Sequence, residues 1–393
     1  IITHAHYDHI GAIPYSIGRI GNPPIYATAL TRGIILKRQE DFPDFGKLDI
    51  HQVEKTDKIK LGVFDVEFFH VNHNIPDGIG IAINTPEGLI MHTGDFKFDH
   101  SPVGDQPADI SRISKIANQG VLALMSDSTA AEVPGHSLSE KTIQDNLEKI
   151  FKEASGRIII GTFSSLLSRV QSAINLAEMY NRKVAVDGYS MRMNVEIAKS
   201  LGYIKAQKGT LINIKDINRH APEKTLVICT GAQGEDNAVL MRMANKEHRH
   251  LKLAAGDSVV FSSSVVPGNE RAVQNLKDNL WRQNARVYHY QMMDIHAGGH
   301  AQAEDLKTMI NLVQPKFFIP IHGNYYMRKL HGEIAIGQGV PEKNIMISNN
   351  GEVILMNRNK MTLSKEKAPS GYVMVDGLGV GDVGQVVLRD RQA

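Results

Sequence analysis

The chain opens with the stretch Ile1-Ile2-Thr3-His4-Ala5-His6-Tyr7-Asp8-His9-Ile10-Gly11, which places three imidazoles and one carboxylate within six positions. His4 and His6 are two residues apart at a strand end, so their side chains can point the same way. Asp8 and His9 in the following turn can reach a second centre. Imidazole and carboxylate ligands together suit Zn²⁺ or Mn²⁺. The alternative is a solvated histidine-rich turn, but the flanking apolar residues indicate an ordered loop, so the pattern predicts a metal site.

Three more candidate ligands stand where apolar runs end. His73 and Asp95 each follow an apolar run at a strand-to-turn boundary, and His322 ends another apolar run just before a glycine. An aspartate after a glycine more often forms an ordinary turn than a metal ligand. Because the chain also contains the opening histidine cluster, we interpret Asp95 as a metal ligand. His70 competes with His73 for the ligand role. Because His70 lies inside the strand, a packed structural histidine is the better interpretation of it.

A proton donor and its partner are expected from two further motifs. His296 and His300 flank a Gly pair, and His300 falls at the N-terminus of a predicted helix, where its pKa can be tuned. We therefore predict that His300 is the catalytic acid, with a satisfied surface histidine as the alternative. Asp127 ends an apolar strand and is expected to orient His300 rather than to bind metal.

Two kinds of pattern divide the chain. Residues 59–90 form short β-rich runs broken by Gly, Pro and Asp, which predicts a meander of strands. From Ser137, which forms a predicted capping box with Glu140, helix and strand patterns alternate, as in a doubly wound parallel sheet. The alternating part contains predicted strands over 157–161, 184–186, 225–229 and 259–262 and predicted helices over 166–180, 191–201, 238–245 and 269–279.

The last part of the chain is expected to rejoin the first. After about residue 290 a His- and Gly-rich turn leads into further predicted elements. We therefore divide the chain into a first domain over 1–135, an inserted domain over 136–290 and the second part of the first domain over 291–393. The closing part contains a predicted helix over 303–312 and predicted strands over 316–320, 353–356, 372–375 and 386–390.

Composition limits the class of protein. The 393 residues are 42% hydrophobic, enough to bury a large core and to build two domains. Lys and Arg number 44 against 42 Asp and Glu, so the formal charge is only +2 and no global basic field indicates a nucleic-acid partner. The single cysteine, Cys229, excludes an intrachain disulfide and favours a reducing, cytoplasmic setting. No apolar stretch approaches the ~20 residues of a membrane helix, so we expect no membrane association.

Together these motifs resemble the metallo-β-lactamase superfamily with its β-CASP additions, and most closely the ribonuclease J family. The resemblance runs nearly end to end. It implies an α/β fold, the αββα metallo-β-lactamase sandwich, that carries an inserted doubly wound α/β β-CASP domain. Because a ligand motif begins at His4, we expect N-terminal strands of the family to be missing, and because the predicted strand over 386–390 is followed at once by the last residues, we expect a C-terminal domain to be missing as well. The supporting motifs are residues 4–9, 73–77, 94–97, 126–129, 230–235, 267–270, 300, 322 and 375–384.

The resemblance also implies roles for single residues. The implied metal ligands are His4, His6 and His73 for one ion, Asp8, His9 and His322 for the other, and Asp95 as the bridge. The implied catalytic residues are Asp8, Asp127 and His300. The implied substrate contacts are Ser164, Ser165, Leu166, His296, Ala297, Gly298, Gly299 and His300.

Three positions depart from the family pattern. Gly298 stands where the family usually has Ser beside the catalytic histidine, so one phosphate hydrogen bond is expected to be absent. Asn324 follows His322-Gly323 at a position where the family commonly has Glu. Tyr7 lies in the first motif at a position where the family more usually has a charged residue. None of these departures removes an implied metal ligand.

The resemblance implies a metal-dependent ribonuclease of RNA maturation and decay, with 5′-to-3′ exonuclease and endonuclease activity and 5′-phosphate products. Its substrate would be single-stranded RNA with a 5′-monophosphate end. Two divalent ions are expected, Zn²⁺ in preference to Mn²⁺, and a homodimer is expected for the full-length protein. The alternatives are a DNA-acting or small-ester hydrolase of the same fold, and a non-catalytic RNA-binding scaffold. A scaffold should have lost ligands, whereas every implied ligand is present.

Overall fold

Two six-stranded sheets form the framework of the protein. The structure is a computed structural model that describes residues 1–43, 46–376 and 379–380. For residues 376, 379 and 380 it describes only the backbone. The strands are β1 (Ile25–Ala27), β2 (Ile50–Gln52), β3 (Lys58–Leu61), β4 (Phe64–His70), β5 (Ile79–Thr85), β6 (Gly88–His92), β7 (Val121–Asp127), β8 (Ile158–Gly161), β9 (Lys183–Asp187), β10 (Leu211–Ile212), β11 (Thr225–Cys229), β12 (Ser258–Phe261), β13 (Arg286–His289), β14 (Phe317–Ile321), β15 (Glu352–Met356), β16 (Met361–Lys367), β17 (Val375–Asp376) and β18 (Gly379–Val380).

Helices cover both sheets and connect their strands. The α-helices are α1 (Tyr7–Ile10), α2 (Ile13–Ser16), α3 (Ala29–Gln39), α4 (Ile110–Ala117), α5 (Glu140–Glu153), α6 (Leu167–Met179), α7 (Tyr189–Ser200), α8 (Val239–Ala244), α9 (Glu270–Trp281), α10 (Ala303–Val313) and α11 (Tyr325–Gly337). Short 3₁₀ segments cover Ile17–Ile20, Ile214–Arg219, Pro222–Lys224 and Glu342–Asn344. Within the described ranges, no helix combines the length and the apolar character needed to cross a lipid bilayer.

The first sheet has the strand order β14-β7-β6-β5-β4-β3. Strands β3 to β6 pair antiparallel, which confirms the predicted meander over 59–90, whereas β6, β7 and β14 pair parallel. Strands β4, β6, β7 and β14 therefore run in the same direction and end at the same edge. Side chains that follow these four ends are brought together by the sheet alone.

The second sheet is wholly parallel and has the order β10-β9-β11-β8-β12-β13. Its strands alternate their side chains between two cores, with Ile158 and Ile160 on one face and Ile159 on the other. Helices cover both faces, so the predicted doubly wound insertion is confirmed. The sequence missed β10, which has only two residues, and the edge strand β13.

One hydrophobic cluster joins the two sheet regions. It contains Leu30 and Ile34 of α3 together with Leu167 of α6 and Val195 of α7. The approach of α3 to α7 is close, since a Cβ added at Gly33 would lie 3.0 Å from Ile197 Cγ2. This shared core fixes the inserted part against the opening histidine motif.

A buried ion pair fastens α5 to α6. The Nε and one terminal nitrogen of Arg169 each donate to the Glu140 carboxylate at 3.1 Å, and both side chains are almost fully buried. The other terminal nitrogen donates to the carbonyl of Ile295 at 2.7 Å and also contacts the Ser262 hydroxyl. Arg169 therefore ties the inserted sheet to the segment that precedes His300.

Three local predictions are wrong. Helix α5 is capped by Ser139, whose hydroxyl accepts from the Lys141 amide at 3.2 Å, because the Ser137 hydroxyl is used to donate to the His300 carbonyl at 2.9 Å. Helix α10 begins only after the cap residue Gln302, so His300 precedes the helix rather than starting it.

The third error concerns the strand over 372–375, of which only Val375 is extended in β17. Tyr372 is 97% exposed and has no packing that would hold a strand. The strand over 353–356 is confirmed as β15, which pairs with β16 and packs Ile354 and Met356 against Phe317 of the first sheet. The predicted strand over 386–390 lies outside the described residues.

We expect Arg169→Met to lower the free energy of unfolding by about 3–5 kcal/mol, because Glu140 would remain buried without its counter-ion. The double variant Glu140→Met/Arg169→Met removes both charges and should recover part of this loss. Urea unfolding followed by circular dichroism measures the change. The matched control is Lys141→Ala on α5, the helix of Glu140, which removes the exposed Lys141–Asp145 pair and should cost under about 1 kcal/mol. Equal losses for Arg169→Met and the control would contradict the argument.

Candidate metal centre and active site

The edge where β4, β6, β7 and β14 end carries the candidate site. His73 follows β4, Asp95 follows β6 and His322 follows β14, so three predicted ligands converge because their strands run the same way. The opening motif joins this edge through the backbone, where the Ile79 amide donates to the Thr3 carbonyl at 3.1 Å. The structure thus brings the opening histidines to ligands that lie far away in the sequence.

Three imidazoles meet in one cluster. The Nδ1 of His6 lies 3.2 Å from the Nε2 of His4 and 2.9 Å from the Nε2 of His73. Nitrogens that share a tetrahedral zinc ion at 2.0–2.1 Å are roughly 3.3 Å apart. The spacing within this cluster therefore fits three ligands of one cation.

The protonation of these imidazoles also fits a cation. Because only a donor can face a carbonyl, the Nδ1–H of His73 donates to Gly299 O at 2.7 Å, which leaves the Nε2 lone pair toward the cluster. Burial lowers the pKa of His73 and of His4 well below the usual value, and burial lowers the pKa of His6 to about 4. The three rings are neutral near pH 7, so their lone pairs are available for a metal.

A second cluster lies beside the first and contains carboxylates. The Nε2 of His9 is 3.4 Å from Asp8 Oδ2, and the Nε2 of His322 is 3.7 Å from the same oxygen. The hydrogen bond from His9 lowers the pKa of Asp8 to about 2. Burial would lower the pKa of His9, but its contacts with Asp8 and Asp95 raise it to about 10. The two carboxylates thus need positive charge, which a proton on His9 or a cation supplies.

Asp95 lies between the clusters. Burial would raise its pKa, but His9 and the other imidazoles hold the pKa far below the usual value, so the carboxylate is ionised. A single carboxylate oxygen at the centre of four imidazole nitrogens is placed to bridge two cations. Asp95 Oδ2 lies 3.7 Å from His4 Nε2, 3.2 Å from His9 Nε2, 4.0 Å from His73 Nε2 and 3.3 Å from His322 Nε2.

Local backbone features hold these ligands in position. Gly94 has a φ of 62° and a Cβ there would lie 2.9 Å from the Ile79 carbonyl oxygen, so the turn before Asp95 requires glycine. The Gly94 amide donates to His92 Nδ1 at 2.9 Å. His322 also has a left-handed backbone, with a φ of 55°. Such strain in a non-glycine residue is typical of functional sites.

His300 and Asp127 form a pair next to the clusters. Their Nδ1 and Oδ2 atoms are 2.8 Å apart, and the other carboxylate oxygen of Asp127 accepts from the Thr129 amide and hydroxyl at 3.0 and 2.7 Å. Burial would lower the pKa of His300, but the Asp127 carboxylate raises it. His300 also lies within ligand reach of His73 and Asp95, so its role as an acid stays a prediction.

A cleft of about 280 Å³ adjoins the clusters. Ser164, Ser165 and Leu166, which precede α6, line it together with His6 and Asp8. This brings three of the predicted substrate contacts beside two of the predicted metal ligands.

The remaining predicted substrate contacts, which lie between His296 and His300, differ in how much of each residue a substrate could reach. Ala297 packs in the hydrophobic core and Gly299 is buried against His73, so only their backbones remain for a substrate. Gly298 is exposed, with open space where a Cβ would stand. Burial and the neighbouring Arg169 lower the pKa of His296 to about 3, and its Nδ1 is buried with no hydrogen-bond partner among the described residues.

The structure also shows residues that the sequence did not indicate. The buried Thr93 hydroxyl donates to the Gly94 carbonyl at 2.6 Å and accepts from the Asp127 amide at 3.2 Å, so it links the two motifs. Asn194 of α7 lines the cleft although it lies far from any motif. Thr93 lies two residues before the predicted ligand Asp95 in the sequence, but only the folded chain brings its hydroxyl to the Asp127 amide and brings Asn194 to the cleft.

His70 has the structural role that its position in the strand indicated. Its Nδ1 faces the Gly78 carbonyl at 3.2 Å and its Nε2 faces the Gln106 carbonyl at 3.0 Å. Burial would lower the pKa of His70, but Asp105 raises it. Both nitrogens are occupied, so His70 has no free lone pair for a metal.

Taken together, the donor atoms fit divalent cations. Ligand atoms within 4.8 Å of one another form one group from His4, His6 and His73 and another from Asp8, His9, Asp95 and His322. All seven predicted ligands thus fall into two adjacent groups. Metal binding is the chemistry that this donor set supports, and the division of the ligands between two ions stays a prediction.

Three family models match the chain in succession. Residues 1–113 match the model described as "Beta-lactamase superfamily domain". Residues 155–280 match "Ribonuclease J, beta-CASP domain" and residues 284–335 match "Zn-dependent metallo-hydrolase RNA specificity domain".

Curated relatives match the whole chain. It is 40% identical over 393 residues to Ribonuclease J 1 of Streptococcus pyogenes serotype M3 and spans 70% of that protein. It is 37% identical to Ribonuclease J2 of Bacillus subtilis strain 168, again over 70% of the relative, and 38% identical to Ribonuclease J of Synechocystis, of which it spans 61%. Among solved structures, a protein of unknown function from Enterococcus faecalis V583 shares the fold, with a TM-score of 0.60 at 17% identity over 92% of this chain and 80% of that one.

We expect Gly299→Ala to reduce the metal content of the purified protein. The added Cβ would lie 2.6 Å from the His73 ring and 2.7 Å from Asn74 Cγ, so His73 must move out of its cluster. Gly298→Ala is the matched control, because nothing lies within 4 Å of a Cβ at that position. Elemental analysis by mass spectrometry measures both variants. Full metal content in Gly299→Ala would show that His73 does not need this geometry.

Proposed function

The chain belongs to the ribonuclease J family, and from this we propose that its clustered histidines and carboxylates form a two-metal centre that hydrolyses phosphodiester bonds of single-stranded RNA. The observation that carries the proposal is the position of Asp95 Oδ2, within 4.0 Å of four imidazole nitrogens and with the His300–Asp127 pair close by. A shared carboxylate oxygen and an adjacent proton donor are what a two-metal hydrolase requires.

The metals are assigned to the two groups of ligands. One ion would be held by His4, His6 and His73 and the other by Asp8, His9 and His322, with Asp95 shared. Neutral imidazoles and carboxylates favour Zn²⁺, with Mn²⁺ as the second choice. When bound, the two ions would lower the pKa of the attacking water and offset negative charge on the phosphoryl oxygens.

The protein's own groups handle the protons. Water attacks phosphorus, the bond to the 3′ oxygen breaks, and the products are a 5′-phosphate and a 3′-hydroxyl. The ionised Asp8 carboxylate, exposed at the mouth of the cleft, would orient the water by accepting a hydrogen bond. His300 would give the proton on its Nε2 to the leaving 3′ oxygen, because Asp127 holds its Nδ1 and stabilises the imidazolium.

We propose that the cleft also distinguishes RNA from DNA. Asn74 and Asn194 line it, and each has a buried Oδ1 without a hydrogen-bond partner in the described part of the chain. Each amide would have to turn its Oδ1 into the cleft to be reached, where a ribose 2′-hydroxyl, unlike a phosphate, could donate to it. The segment Ser164 to Leu166 before α6 lines the cleft, and we expect it to bind the backbone phosphates.

Family membership supports 5′-to-3′ exonuclease action together with endonuclease cuts. We further infer a preference for 5′-monophosphate ends, a homodimeric full-length protein and a cytoplasmic location. Domain limits of 1–135, 136–290 and 291–393 are part of the same proposal. Among the alternatives, a small-ester hydrolase does not need the two asparagine side chains that line the cleft and whose Oδ1 atoms have no partner among the described residues. A non-catalytic scaffold does not need a complete set of metal ligands.

We expect the metal-loaded protein to cleave 5′-phosphorylated single-stranded RNA at least about fivefold faster than DNA of the same sequence, the effect of one hydrogen bond. Asn194→Leu keeps the size of the side chain but removes the acceptor, so it should lower the RNA-to-DNA rate ratio. Denaturing gels with end-labelled substrates measure the rates and the 5′-phosphate ends. RNA with a 5′-hydroxyl or 5′-triphosphate tests the end preference. Equal rates on RNA and DNA would refute the choice of substrate.

We expect His300→Ala to lower kcat by about 100-fold to 10,000-fold with unchanged metal content, because it removes the proton donor but no ligand. Asp127→Asn should lower kcat less and also keep the metals. Single-turnover cleavage and elemental analysis are the measurements. His51→Ala, at an exposed histidine on β2, is the control and should behave as wild type. Loss of metal from His300→Ala would make this residue a ligand instead of the acid.

A further inference from the structure

A second and larger cavity lies in the inserted part of the chain, with a volume of about 890 Å³. It opens between α7, the end of β9, the short edge strand β10 and the segment around residues 242–250. None of the predicted metal ligands or substrate contacts lines it. The proposed reaction therefore leaves this cavity without a role.

The walls of this cavity are strongly basic. Five basic side chains line it against two acidic ones, although the whole chain has a formal charge of only +2. The acidic side chains are Asp187 and Glu196. The basic side chains are Arg192, Lys199, Lys215, Arg242 and Arg249.

Most of this positive charge is not neutralised within the protein. The Asp187 carboxylate pairs with Arg192 at 2.9 Å and with His248 at 2.8 Å, so it does not neutralise the other basic side chains. The other four cationic side chains form no ion pair with any carboxylate of the described residues, and all four are exposed. They line one cavity from α7, the 3₁₀ segment Ile214–Arg219, α8 and the loop that follows α8, so an anionic ligand could contact several of them at once.

The cavity shares an edge of the second sheet with the catalytic cleft. The parallel strands β8, β9 and β11 all end at this edge, where Ser164 belongs to the cleft and Asp187 and Thr230 to the cavity. Helix α7 separates the two spaces, since Asn194 lines the cleft and the adjacent Val195 lines the cavity. A chain leaving the cleft has only this one helix to cross, about 10–12 Å in diameter with its side chains.

An aromatic ring stands beside the cationic side chains. Tyr189, the first residue of α7, lines the cavity and is 66% exposed. Basic side chains that follow a backbone, together with an exposed ring on which a base can stack, are how proteins bind single-stranded nucleic acid. Cations spread over several elements match a chain of phosphates better than one compact anion.

We propose that this basic cavity binds the phosphate backbone of single-stranded RNA beyond the nucleotides held in the catalytic cleft, with Tyr189 stacking on a base. The inference rests on the proposed function, because it takes the substrate to be RNA. A free nucleotide offers the same phosphate chemistry and is the alternative source of the ligand.

The test compares a charge-reversal variant of the cavity with a matched control. Lys215→Glu/Arg242→Glu changes two exposed residues of the cavity. Lys224→Glu/Lys343→Glu makes the same change in charge at two exposed residues in 3₁₀ segments outside it. Both pairs are combined with His300→Ala so that the RNA stays intact, and gels verify its integrity. Fluorescence anisotropy measures the affinity for 5′-phosphorylated RNA of about 4 and about 16 nucleotides, lengths that span the usual site sizes.

We expect the cavity variant to bind the long RNA at least about tenfold more weakly than the control while binding the short RNA equally well. The slope of log affinity against log salt should become flatter by about 1.4, or 0.7 for each lost phosphate contact on a single strand. Tyr189→Ala should weaken the long RNA at least about fivefold and Tyr189→Phe should restore it.

Unchanged affinity for the long RNA would overturn the inference. Loss of AMP binding in calorimetry without a change in RNA affinity would also overturn it and would assign the cavity to a free nucleotide. Absence of RNA cleavage by the wild-type chain would count against the proposed function alone, since the affinity difference between the two variants is measured without cleavage.

Discussion

The crowding of buried imidazole nitrogens around one carboxylate oxygen is the constraint on which the site depends. The single Nδ1 of His6 lies about 3 Å from a ring nitrogen of both His4 and His73, so neutral rings can form a good hydrogen bond at only one of these two contacts and the buried arrangement is costly unless a cation occupies it. Asp95 is ionised and nearly buried at the centre, which adds a negative charge that must be matched. The surrounding structure has to hold these groups against their own repulsion.

The restraint comes from the backbone and from residues outside the ligand set. The parallel direction of β4, β6, β7 and β14 fixes where the ligand loops start. The carbonyl of Gly299 fixes the ring of His73, although it lies 226 residues away in the sequence. Arg169 in turn fixes the segment that leads to Gly299, through its bond to the Ile295 carbonyl. The inserted domain therefore takes part in shaping the metal centre as well as the cleft.

The two parts of the molecule carry different chemical groups. The first sheet supplies acidic and imidazole groups that fit cations, and the inserted sheet supplies amide oxygens, hydroxyls and basic side chains that fit ribose and phosphate. Both sets lie at the carboxyl ends of strands, where side chains from several strands can meet without interrupting the hydrogen bonds of the sheet. A near-neutral total charge is compatible with this design, because the charges of opposite sign are kept in different places.

Much of the site could be predicted from the sequence because its ligands are dense or stand at strand ends. The spacing of His4, His6, Asp8 and His9 indicated metal, and the ends of apolar runs added His73, Asp95 and His322. Alternating apolar runs gave the meander and the parallel sheet, since burial of one or both faces imposes its period on the residues. Tertiary structure alone decided how the ligands group, that Ser139 and not Ser137 caps α5, that Asn194 reaches the cleft and that the Thr93 hydroxyl contacts the Asp127 amide. It also gathered the cations of the second cavity, because contacts between residues distant in the sequence depend on how sheets and helices pack and leave no local pattern.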